Sequence, residues 1–72
     1  MQRSGYTFGE QIPQGSGWLT VLGSYYKRPV LHTTAQAAQA ELDSHPCRDN
    51  PHMHLEVQHV TEHGRFYKIT PA

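Results

Sequence analysis

The chain lacks most of the devices that hold very small proteins together. Its 72 residues include a single cysteine, Cys47, so no disulfide can form within it. One cysteine fits a reducing compartment, and a cytoplasmic location is the expectation. Residues 1–14 contain no continuous apolar core of the length that a signal peptide or membrane helix needs. A glycine-rich phosphate loop is also missing, because the glycines at 15, 17 and 23 are not followed by Gly-Lys-Ser/Thr. Asp43, Asp49 and Glu62 fall in loops or at element ends and show no paired-carboxylate spacing. Cys47 and six histidines offer a nucleophile and bases, but nothing in the sequence orients them. A domain this short has little volume for a buried cleft. The expectation is therefore a protein that is not an enzyme.

Surplus charge is lacking too. Lys and Arg together number 6, as do Asp and Glu, so the formal net charge is zero at pH 7. A general polyanion binder would want an excess of Lys and Arg. The histidines would make the chain cationic below about pH 6. Aliphatic residues are scarce: 36% of the residues are hydrophobic and the mean hydropathy is -0.68. One Trp, four Tyr and two Phe compensate in part, since each ring buries a large area. Such a chain is marginally stable unless a metal or a partner helps, and a homodimer is one expected form.

What is present reads as a single α+β domain of β-β-α-β-β order, an antiparallel sheet with one helix packed on one face. Residues 1–16 are rich in Gly, Ser, Gln and Pro and read as a flexible or loosely docked leader, with the domain at 17–72. Tyr6 and Phe8, two apart, would be its anchors if it docked as an edge strand. Trp18-Leu19-Thr20-Val21-Leu22 is the first clear strand. Gly23-Ser24 is either a two-residue hairpin turn or a bulge with the turn at Lys27-Arg28-Pro29. Tyr25 to Leu31 then forms an edge strand, because Pro29 has no amide donor.

Thr33 followed by Gln36 predicts a capping box. The alanine-rich stretch 35–42 is the helix, with Ala35, Ala38 and Leu42 on one face. Pro46 ends it. Residues 52–61 alternate as a strand with Met53, Leu55, Val57 and His59 on one face. A three-residue loop at Glu62-His63-Gly64 would pair Val57 with Ile69 and His59 with Tyr67, uniting Leu55, Val57, Tyr67 and Ile69. His59 then sits as a core or rim histidine.

Two segments carry candidate chemistry. His45, Cys47, His52 and His54 place four usual zinc ligands within ten residues. The tract is compositionally a metal pointer, but its spacing matches no finger or ribbon, and solvated histidines beside an ordinary free thiol are the favoured explanation. No cofactor is expected, zinc being the one candidate. Trp18, Tyr25, Tyr26, Lys27 and Arg28 set aromatics beside cations, as in stacking surfaces for nucleic acid. Scarce aliphatics argue instead that Trp18 and one tyrosine pack in the core.

The leading functional expectation is a small non-enzymatic protein-binding module. It acts by direct protein contact through Trp18, Tyr25, Tyr26, Lys27 and Arg28, in the manner of an accessory factor or inhibitor of phage or plasmid type. The start at Met1 and the finish after Pro71 fit a complete small gene product. One thin helix covers only part of a four-stranded sheet, leaving a face for a partner or a second copy. The alternatives are a nucleic-acid-binding module using Tyr25 to Arg28 and a domain stapled by metal at His45, Cys47, His52 and His54. No membrane partner is expected.

Overall fold

The computed structural model describes residues 2–25 and 28–72. Seven elements follow one another: β1 (Ser4–Gln11), β2 (Trp18–Val21), β3 (Ser24–Tyr25), β4 (Arg28–Pro29), α1 (Ala35–Asp43), β5 (Glu56–His63) and β6 (Phe66–Ile69). One helix and antiparallel strands make this a small α+β domain, as the residue pattern suggests. The sheet is not open, however. It closes into a four-stranded barrel of order β1-β2-β6-β5, and β3 and β4 form a separate two-stranded hairpin.

The chief correction concerns residues 4–11, expected in a loose leader. They form β1, which is eight residues long and hydrogen-bonded on both sides. Gly9 lies opposite both Val21 of β2 and Glu56 of β5. Further up, Tyr6 faces His59 of β5 and exchanges two backbone hydrogen bonds of 2.7 Å with His32. Glycine-rich composition marks a crowded position here rather than a slack one. A Cβ on Gly9 would stand 2.0 Å from the Thr20 carbonyl oxygen. Only glycine lets the two backbones approach this closely.

Alternation along β1 sorts the core into two layers. Phe8 is fully buried and meets the ring of His45 edge-on, so its side points to the helical layer. Thr7 points the other way, into the barrel, which Leu19 and Val60 also fill. From α1, Ala38 and Leu42 are buried and Ala35 is exposed, so the apolar stripe is narrower than expected. The helix cap is Thr34, whose side chain accepts from the Ala37 amide, one residue later than the Thr33 capping box. His32 Nε2 and Glu41 Oε1, 2.7 Å apart, tie the chain before the helix to its second turn.

Two hairpin expectations also change. Gly23-Ser24 is not the turn of a β2 hairpin: β2 stops at Val21, and the hairpin is Ser24 opposite Pro29 with Tyr25 opposite Arg28. The second hairpin slips relative to expectation. Val60, not Val57, lies opposite Ile69, and Glu62, not His59, lies opposite Tyr67. His63 pairs with Phe66, which leaves a two-residue turn with Gly64 first, at φ +65. A left-handed first position matches the twist of a tight hairpin. Val57 is instead opposite Phe8, so a neighbour absent from any hairpin-only argument decides its side. Leu55 lies before the strand begins.

Two substitutions test the barrel. Gly9→Ala should destabilise by about 3 kcal/mol or abolish folding, because the β2 backbone at Thr20 and Val21 must give way. Thr7 Oγ1 is buried and has no hydrogen-bond partner among the described residues. Thr7→Val removes that unmatched hydroxyl and should raise stability by about 1 kcal/mol. Urea titrations followed by circular dichroism read both effects. Destabilisation by Thr7→Val would contradict an unpartnered hydroxyl.

Candidate functional site

The helix shields β1 and β5 on the outside of the barrel, while the outer side of β2 and β6 carries no covering element among the described residues. Trp18 stands there, at the start of β2 and opposite Lys68 of β6. It is 41% exposed and Phe66 is 63% exposed, values that place both outside the core. The expected burial of Trp18 is thus corrected: Leu19 takes the inward position and Trp18, its neighbour on a pleated strand, must face out. The rings of Trp18 and Phe66 meet edge to face at 6.3 Å, and His63 approaches Trp18 similarly at 5.9 Å. Lys68 Nζ lies 5.8 Å from the centre of the Trp18 ring, in cation–π range.

Phe66 also borders a cavity of about 630 Å³ at one end of the barrel. Leu19, Val21 and Tyr67 line its inner wall, and Arg3, Arg28, Arg65 and Glu62 ring its rim. Arg3 is already engaged: its Nε donates to Glu62 Oε1 at 2.7 Å and its terminal nitrogen reaches the Pro29 carbonyl at 3.4 Å. That hydrogen bond holds the Glu62 carboxyl below its ordinary value. Desolvation opposes the shift, and the charges of Arg3 and Arg28 reinforce it. The same hydrogen bond raises the Arg3 guanidinium.

The chain is neutral as a whole but not evenly so. Arg3, Arg28, Arg65 and Lys68 gather at the mouth and the aromatic face, where Glu62 is the one carboxylate lining the cavity. The other acids are held elsewhere. Glu56 accepts from Gln11 and Gln58, and Glu10 accepts from the His54 amide. Glu41 meets His32, Asp43 accepts from Gln39 at the end of the helix, and Arg48 meets Asp49.

Of the residues singled out in the sequence, Trp18 and Arg28 come to this region. Tyr25 lies in β3 opposite Arg28, and Tyr26 and Lys27 lie outside the described residues. Arg3, Glu62, Arg65, Phe66, Tyr67 and Lys68 went unnoticed in the sequence. Phe66 and Lys68 alternate on one side of a strand, a signal that becomes readable only with the right hairpin register.

The other segment is spread along a loop of turns between α1 and β5. Among the described residues, no three His, Cys, Asp or Glu side chains stand close enough to hold a metal ion. His45 Nδ1 accepts from the Cys47 amide at 3.1 Å while its ring packs on Phe8. His52 and His54 are exposed, and Cys47 is half-buried. No helix among the described residues is long and apolar enough to cross a membrane. The chain matches no protein-family model, no curated protein and no solved structure.

The Arg3–Glu62 pair gives a pH test. A lowered carboxyl contributes stability above its ordinary value near 4.5 and loses it as pH falls through the lowered value. Thermal melts of the wild type and Glu62→Gln should therefore differ by a constant amount from about pH 7 to about pH 5. The gap should close on further acidification. A gap independent of pH would contradict the pairing.

Proposed function

We propose that this domain is a non-enzymatic protein-binding module that docks a partner through the outer side of β2 and β6 and the adjoining mouth. The observation that carries the reading is the exposed aromatic pair Trp18 and Phe66, set beside a cavity in a chain with few hydrophobic residues. Exposed aromatics of this kind, next to arginine, are the usual anchors of protein interfaces. Barrel closure removes the edges of β2 and β6 that a partner strand would extend, so on this face side chains rather than backbone carry the contact. The reading extends to a role as accessory factor or inhibitor, which the small size of the chain suits.

Nucleic-acid binding is the second reading, and the gathering of Arg3, Arg28, Arg65 and Lys68 on one side favours it. Against it, Lys68 already lies over the Trp18 ring, and the His63 and Phe66 rings meet it in T-shaped contacts. A base stacking on the face that Lys68 covers would have to displace it.

Affinity capture from an extract of the source cells, with and without nuclease, separates the readings. A retained protein should survive nuclease and be lost with Trp18→Ala and with Phe66→Ala. Both variants should stay folded, the Phe66 change shifting stability by less than about 1 kcal/mol because the ring is mostly exposed. Partners that vanish with nuclease, and with moderate salt, would move the assignment to nucleic acid. Retention unchanged by either variant would refute docking at this face.

A further inference from the structure

We propose that the barrel mouth is a carboxylate-binding site that takes an acidic side chain of the docked polypeptide, with Arg28 and Arg65 as its ligands. The inference rests on the protein-binding reading and adds the chemistry of the partner: a segment in which acidic and apolar residues are neighbours.

The roles of the three arginines differ. Arg3 spends its donors on Glu62 and the Pro29 carbonyl, so it frames the rim rather than reaching for a ligand. Arg28 and Arg65 make no side-chain hydrogen bond with any described residue, and both line the cavity. Arg28 is near enough to Glu62 for its charge to lower that carboxyl. One carboxylate therefore shares the cavity lining with three guanidinium groups, and the rim keeps a positive surplus that the rest of the chain balances elsewhere. A guanidinium presents a planar fork of donors that matches a carboxylate in two parallel hydrogen bonds.

The shape of the surface decides what the anion belongs to. Leu19, Val21 and Tyr67 also line the cavity, and their carbon surface suits the stem of a side chain beneath a charged head. Phe66 is shared between the mouth and the aromatic face, so apolar residues beside the acid would land on Phe66 and Trp18. A nucleic acid strand would need a track of cations along its backbone. Here Arg3, Arg28 and Arg65 converge on a single opening, which fits one acidic group held at one point.

Trp18 is the only tryptophan in the chain, so its emission reports on the site directly. The full-length protein would be titrated at low salt with a capped synthetic peptide of alternating glutamate and leucine. The lysine–leucine counterpart and an oligothymidylate would be run in parallel. The acidic peptide should change the emission saturably, and the basic peptide should not. Arg65→Gln, in the exposed turn, should weaken binding about tenfold, and the Arg28→Gln/Arg65→Gln pair further, with unchanged far-ultraviolet dichroism. Absence of saturable binding by the acidic peptide would overturn the proposal, as would equal affinity in Arg65→Gln. Tighter binding of oligothymidylate than of the peptide would overturn it in favour of nucleic acid. If capture of a cellular protein depends on Phe66 but not on Arg28 and Arg65, the carboxylate site falls and the aromatic docking face stands. If capture depends on neither, both fall.

Discussion

The close approach of β1 to its two neighbours is the constraint from which the rest of this small fold follows. At Gly9 one residue serves two ladders at once, with Val21 on one side and Glu56 on the other. The absence of a Cβ lets the Thr20 carbonyl pass within a distance no side chain would tolerate. Closure of the sheet depends on that contact, because β1 is the strand that joins β2 to β5. Closure in turn explains how so apolar-poor a chain holds together. A barrel shares one interior among four strands, so Thr7, Leu19 and Val60 supply much of what two separate sheet faces would need. The helix then adds a second, thin layer through Ala38 and Leu42 against the other side of β1 and β5.

The same geometry creates the candidate site. With Leu19 turned into the barrel, Trp18 must face outward, and pairing with β6 sets Lys68 beside it. The two-residue turn at Gly64-Arg65 then places Phe66 on the outer face and Arg65 at the rim. The chain from β4 brings Arg28 and Pro29 to the same opening, where Arg3 bridges Pro29 and Glu62. Residues from both ends of the sequence thus meet at one mouth. Neutral overall charge conceals this, because a sum over the chain carries no information about where each sign is gathered.

How much could be read in advance differs from element to element, for physical reasons. The alanine-rich helix and its end before Pro46 were legible, since propensity and breakers are local. Its cap was off by one residue because Thr33 and Thr34 offer the same chemistry and packing chooses between them. Residues 4–11 misled through composition: glycine and serine suggest slack, yet Gly5 and Gly9 are there for close backbone contact. The Tyr6 and Phe8 alternation was the truer signal. The final hairpin misled because the apolar pattern was matched within one pair of strands, whereas β5 has two neighbours and Val57 answers to Phe8. Trp18 and Arg28 stand out in the sequence as aromatic and cation of one segment, but the arginines at 3 and 65 come near them only by barrel closure.

Residue-resolved amide hydrogen exchange on the native protein tests the central claim, that β1 is the closing strand of a barrel. The account predicts that the amides of residues 6–9 exchange as slowly as that of Val60, near the limit set by global unfolding. Fast exchange at residues 6–9 beside slow exchange in β5 and β6 would contradict it. That result would mean a loosely docked leader and an open sheet, and the mouth formed by Arg3, Glu62 and Pro29 would have no frame.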